Sequence, residues 1–450
     1  VMADNRTVFF GDDGSNTMMF MYVADKKNDL SAGTLYAAKF KQTGTENGGS
    51  GDLQWINLGH ATDSEIKQII DKGTKFSDIF DTSEKPAEGY TAIKQYSYGK
   101  TEYLKVKPGM EKAAAFMESR RYAAILGATS EFNKMEGVTA NMKDKKVYIA
   151  ISDLSKSMEK DATGTDPTDD IQLPKRKSGA TFQLNLAGGQ KDKQGNPIKS
   201  EYVASDMTGI LAGEDLPAAD AYGNTANPDK VASPDNLSFS DSMRTLFIGE
   251  DSSQHTNNYV WAYNVDTKEL SRVLSTPAGS ESTGLMAADD RNGFSYVMSN
   301  FQHPGDEVKD REITAVNKDD LLAEIDKQIG INKTGGVGYI SGLPSLTEMP
   351  KQEKPEHPAK PAHPKHPAAP AKKYWNGMEV KKGQVGKVAF KGNVTLYKQT
   401  SKGLVKVRTI KPGSSFRVYR VDAKNKVYYV GGNNIVKFDA KVSYASIPSK

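Results

Sequence analysis

The chain has 450 residues, no cysteine and a net charge of only +4. Without cysteine there are no disulfides, zinc–thiolate sites or cysteine nucleophiles within it, and no apolar run approaches the length of a bilayer span. The small net charge hides a split: 374–450 holds 16 Lys and Arg against 3 Asp and Glu, while 1–349 carries a surplus of about 13 negative charges. An acidic body suited to divalent cations therefore precedes a basic module suited to polyanions.

In chain order, 7–10 (TVFF) and 18–23 (MMFMYV) read as strands flanking the loop 11–16 (GDDGSN), and 34–40 (TLYAAKF) follows as a third. His60, after 57–59 (NLG), reads as a structural turn residue. Residues 63–70 open with capping residues and read as a helix, and 111–125 is a stronger helix that carries Arg120 and Arg121 towards 131–137 (EFNKMEG). Further strands are expected at 146–151, 245–248, 259–263 and 294–298, each ended by turn residues. The acidic stretch 161–170 lacks the glycine and glutamate positions of an EF-hand loop and reads as a mobile acidic loop. Repetition of an apolar strand followed by an acidic loop points to an all-β propeller with helical insertions, over 1–348.

Residues 349–373 are rich in Pro, Lys and His and read as an extended linker, its histidines solvated. From 374 to 450, short alternating strands beginning near 382, 394, 404, 416 and 427 predict a small β-barrel.

Walker, GxSxG, HExxH and dinucleotide fingerprints are absent. Instead, carboxylates, amides and imidazoles recur at strand ends: 234–236 (PDN), 249–252 (GEDS) with His255, 279–284 (GSESTG) and 300–305 (NFQHPG). Oxygen-rich loops at the mouth of a rigid β scaffold are suited to hard cations.

These stretches, together with 11–13 (GDD), 33–36 (GTLY), 120–124 (RRYAA) and 133–137 (NKMEG), resemble the PhoX family of bacterial alkaline phosphatases, in order over about 1–344. The resemblance implies a six-bladed β-propeller with calcium ions and an iron centre at its mouth, an exported enzyme, and hydrolysis of phosphate monoesters. It makes Glu136 and Asp235 metal ligands, Glu281 a further calcium ligand and Asn236 a supporting group. Asp12, Asp13, Glu250, Asp251 and His255 are expected around the same metals. Lys134 stands where the family has a phosphate-binding arginine; Arg120 or Arg121 is expected to compensate, and His303 completes the catalytic set. The family's iron-binding cysteine and paired glutamates have no counterpart here, so the propeller is expected to lack its N-terminal part.

The expected function is an exported, calcium-dependent phosphomonoesterase; the alternative is a non-catalytic calcium-binding surface or S-layer protein on the same propeller. The basic module resembles SH3-like barrels of secreted Gram-positive proteins, which implies attachment to an anionic wall polymer or S-layer. Expected partners are a phosphate monoester and a missing N-terminal segment, with no nucleic acid and no membrane span.

Overall fold

The computed structural model describes residues 1–95, 100–160, 167–329, 334–343, 374–375, 378–381, 383–400, 403–431 and 434–447. Two compact units divide the chain, Val1–Lys351 and Gln352–Lys450. The expected linker, and 161–166 of the expected acidic loop, lie outside the described residues.

The first unit is built from β1 (Thr7–Phe10), β2 (Phe20–Lys26), β3 (Asp29–Gly44), β4 (Ser50–Thr62), α1 (Asp63–Asp71), α2 (Phe76–Ile79), β5 (Phe80–Ser83), β6 (Thr91–Ile93), β7 (Glu102–Val106), α3 (Glu111–Met117) and α4 (Ser119–Ile125). There follow β8 (Val138–Asn141), β9 (Lys146–Ile151), β10 (Ala180–Ala187), β11 (Val203–Ala212), β12 (Pro234–Ser240), β13 (Thr245–Glu250), β14 (Tyr259–Asn264) and β15 (Leu270–Ser275). The unit continues with β16 (Glu281–Arg291), β17 (Phe294–Gln302), α5 (Lys318–Gln328) and β18 (Gly336–Ile340).

Every pairing in these sheets is antiparallel. β1–β4 form one four-stranded meander, β8–β11 a second and β12–β15 a third, with β16–β18 as a three-stranded sheet. The first two meanders join edge to edge through a short β4–β11 pairing, Ser50–Asp52 against Thr208–Asp206, giving one eight-stranded sheet.

Strand alternation explains the layering. In β2, Met21 and Val23 enter one core with Trp55, Phe132 and Phe182, while Phe20 enters a second core with Ala113–Ala115 and Tyr122. Successive side chains face opposite sides of a sheet, so a run apolar at every position is buried on both. β9 repeats the device: Val147, Ile149 and Ile151 face the first core, and Tyr148 and Ala150 pack against Leu246, Ile248 and Trp261 of the third meander. That packing brings the end of β9 beside the start of β12.

Two local expectations are corrected. The helix expected over 111–125 is two helices broken at Glu118 (φ −135°, ψ 44°), which lets Ala113–Ala115 and Tyr122–Ala123 both reach the second core. His60 lies within β4 rather than in a turn and pairs its Nε2 with Asp25 at 2.9 Å. Thr62 and Glu65 form the capping box of α1.

Among the described residues the second unit contains strands and no helix. A sheet in the order Ser415–Val418, Gly386–Phe390, Val442–Ser446 and a five-stranded sheet in the order Gly403–Ile410, Val394–Thr400, Asn434–Lys437, Val427–Gly431, Arg420–Asp422 share a core of Val388, Phe390, Leu396, Val418, Tyr428 and Val436.

Candidate functional site

Five chain segments converge where β8, β9, β12 and β13 end or begin. The loop 11–16 is tied to the stretch before β8: Met135 N donates to Asp12 O at 3.0 Å, and Lys134 N to Gly14 O at 2.7 Å. Ser152, just past β9, donates its backbone N–H to Lys134 O and its hydroxyl to Pro234 O at 2.9 Å. Asp251, just past β13, donates to Ser233 O at 3.2 Å. Gly137 then lies against the Asp235 carbonyl so closely that any Cβ there would collide with it. The consequence is that Glu136 and Asp235 meet.

Their carboxyl groups share a hydrogen bond. Burial, reinforced by the charges of Asp235 and Asp13, pushes Glu136 up to about 8. Burial, then Asp251 and Glu281, pushes Asp235 up to about 6. The pair as a unit therefore holds a proton above the ordinary carboxylate range. Asp235 is 2% exposed; its Oδ2 accepts from Asn236 Nδ2 at 2.5 Å, and its Oδ1 is buried without a partner.

Lys134, at φ +45°, is the cation of the cluster. Its Nζ lies 3.7 Å from Asp13, 3.7 Å from Asp251 and 4.0 Å from Glu136. Burial acts to lower its ammonium, but Asp251, Asp13, Glu136 and Asp235 outweigh it and hold the amine above its ordinary value.

Glu281 opens β16 and accepts from Gln302, and His303 places Nε2 3.4 Å from the same carboxylate. His303 Nδ1 is buried without a partner, as is Asn300 Oδ1. His303 is thus a brace for Glu281. Among the described residues, no three histidine, aspartate or glutamate side chains converge on one point tightly enough to hold an ion as they stand. Glu136 and Asp235 instead bond each other.

Other expected residues are used differently. Glu250 and His255 are completely buried. Glu250 accepts from Ala232 N (2.8 Å), Tyr259 N (2.9 Å), Trp261 Nε1 (2.7 Å) and His255 Nδ1 (2.9 Å), and His255 Nε2 faces Asn227 O at 3.2 Å. With its acceptor positions so occupied, Glu250 ties β13 to β14 and leaves no room for a cation. Asp12 is taken by Arg120 in a two-pronged contact of 2.5 and 2.6 Å. Arg121 is held by Glu102 and Glu118, at 3.1 and 2.7 Å, and caps the Phe76 ring at 5.0 Å. Neither arginine contacts Glu136 or Asp235, because α4 directs one towards the loop 11–16 and the other towards β7.

Sequence reading overlooked the polar cleft that adjoins Lys134 and Asp251 and includes Ser155, Lys156, Lys177 and Gln254. No local pattern announces it, since its walls come from segments scattered between Lys134 and Glu307.

No curated protein matches the sequence. The family model described as alkaline phosphatase PhoX matches residues 1–305, about two thirds of the chain. A buried aspartate paired with a glutamate at the strand ends, with a lysine across from them, thus lies within the matched region, and the chain belongs to the PhoX alkaline phosphatase family.

Proposed function

We propose that this phosphatase is an exported phosphate monoesterase that works with calcium held by Asp13, Glu136, Asp235, Asp251 and Glu281. The observation that carries the reading is Asp235: a buried carboxylate with one orphaned oxygen, amid four more carboxylates, in the region matched to the phosphatase family.

These donors fit calcium, which takes six to eight oxygen ligands in flexible geometry. An uncompensated acidic cluster would repel a phosphate dianion, and a divalent ion there reverses the sign of the local field. When bound, calcium supplies the positive charge that developing phosphoryl oxygens require. The donors do not fit a thiolate-ligated iron, because the chain contains no cysteine, and no step is assigned to iron.

The chain's own residues have separate tasks. Lys134 stands ready to leave Asp13 and Asp251 for a phosphoryl oxygen, as a point charge without the fork an arginine offers. Asn236 orients Asp235, and His303 with Gln302 orients Glu281. In the overall reaction the oxygen of water bonds to phosphorus, the bond from phosphorus to the ester oxygen breaks, and the alcohol departs with a proton.

A β-propeller is the architecture that best accounts for three successive four-stranded meanders followed by a three-stranded sheet, with β9 sandwiched between two cores. The basic second unit, with two sheets around one small core, suits an SH3-like barrel that holds the enzyme to an anionic wall polymer.

Phosphate release from p-nitrophenyl phosphate and from glycerol phosphate, with calcium and with excess chelator, tests the proposal. Release that requires calcium supports it. Calcium binding without release from either ester points to a scaffold, and release indifferent to chelation removes calcium from the account.

A further inference from the structure

We propose that the cleft beside Lys134 is a leaving-group subsite for phosphate esters of polyhydroxylated compounds that carry a second anionic group, with Lys177 as the group that reads that charge. This rests on the phosphomonoesterase reading above and adds a substrate class to it.

The cleft encloses about 410 Å3, within the range of small-molecule pockets. It is lined by Lys134 and Asp251, which belong to the acid cluster, and by Lys156 and Lys177. Every side chain lining it is polar or charged. A nucleobase or aryl ring would find no face to stack on, whereas hydroxyl groups would meet Ser155, Ser253 and Gln254.

The charges sort themselves. Asp251 is 3.7 Å from Lys134, Asp153 is 3.6 Å from Lys156, and Glu307 is 2.7 Å from Arg311, so each acid of the wall has a cationic partner. Lys177 makes no ion pair among the described residues and is exposed. Its backbone is nevertheless fixed: Asp215 accepts from the N–H groups of Lys177 and Ser178, at 2.8 and 2.9 Å. Lys156 is held likewise, at φ +55°, by Glu159 accepting its N–H at 3.0 Å. Carboxylates that accept backbone amides pin a turn, so Lys177 is presented from a rigid base in the wall of the same cleft that Lys134 and Asp251 of the acid cluster line.

A second cleft, of about 440 Å3, adjoins Asp12 and is lined in part by Phe10, Phe20 and Met117. That apolar surface is where an aryl leaving group would pack, which makes an aryl phosphate the natural comparator. The subsite adds no chemical step; it positions the alcohol whose ester oxygen leaves phosphorus.

Steady-state phosphate release by the full chain with calcium is measured on fructose 1,6-bisphosphate, fructose 6-phosphate and p-nitrophenyl phosphate. The bisphosphate is expected to have the higher kcat/KM of the two sugar esters. K177A is expected to lower the bisphosphate-to-monophosphate ratio roughly tenfold, equivalent to about 1.4 kcal/mol, through KM. K177R restores most of the ratio and K177E lowers it further. An unchanged ratio in an active K177A enzyme overturns the subsite and leaves the phosphatase reading intact. No release from any of the three esters overturns the phosphatase reading, and the subsite with it.

Discussion

Gly137 packs its α-carbon against the carbonyl oxygen of Asp235, leaving no space for a side chain. Those two residues are almost a hundred positions apart, and their approach is what puts the neighbouring Glu136 carboxyl against that of Asp235. An alanine at 137 has to push β12 away. We expect G137A to destabilise the protein by about 2 kcal/mol and to weaken calcium binding more than any neutral surface substitution does. Denaturant melts with and without calcium measure both effects.

Glu136→Gln keeps the side chain's size but removes a charged oxygen donor. Calcium-dependent stabilisation and ester hydrolysis should fall together, the latter by at least about 100-fold, the scale on which losing an electrostatic contribution to catalysis is felt. Full activity in a folded E136Q protein would remove Glu136 from the site.

The same pair predicts a pH dependence. Both folded-state values are raised, Glu136 to about 8 and Asp235 to about 6, so the folded metal-free protein holds protons that the unfolded chain has released. Their contribution is complete below the ordinary carboxylate range and is lost as pH rises through about 6 and then about 8. Without calcium, Tm should therefore fall between pH 6 and pH 8. Calcium should raise Tm most at the alkaline end of that window, and its binding should release protons, which calorimetry in buffers of different ionisation enthalpy detects. A flat metal-free Tm across the window contradicts the coupling.

Glu250 makes the opposite prediction. Four donors converge on its buried carboxylate, and Glu250→Gln puts an amide NH2 against N–H groups that already donate. We expect a loss of about 3 kcal/mol with calcium affinity of the folded fraction unaltered. A calcium affinity that collapses while stability holds would return Glu250 to the ligand set.

Arg121 is engaged by two carboxylates and an aromatic ring. Arg121→Ala should cost about 1–2 kcal/mol through lost packing and pairing, with KM for a phosphate ester unchanged. A several-fold rise in KM would mean that Arg121 reaches the substrate after all.

Much of this was legible beforehand. Strands such as 146–151 and 245–248 announce themselves by apolar content and turn residues at their ends, and the capping box at Thr62 and Glu65 is a purely local signal. The strand-end acids were legible as a group but not as individuals. Glu250 and Asp251 are adjacent in sequence, yet alternation sends the first into the core under Trp261 and leaves the second at the mouth beside Lys134. The break at Glu118 was hidden because helix propensity reports the backbone's local preference and not the two faces that α3 and α4 must bury.

The sequence by itself determined a mostly β chain with helical insertions, a basic C-terminal stretch and membership of a phosphatase family, because strand patterning, composition and motifs are properties of short stretches. Only the tertiary structure decided which acids meet, which are consumed by protein donors and which lysines face the same cleft as the cluster. Those outcomes depend on contacts between segments a hundred residues apart, where a single glycine's missing Cβ or the parity of a strand position sets whether a carboxylate faces solvent, a partner or the core.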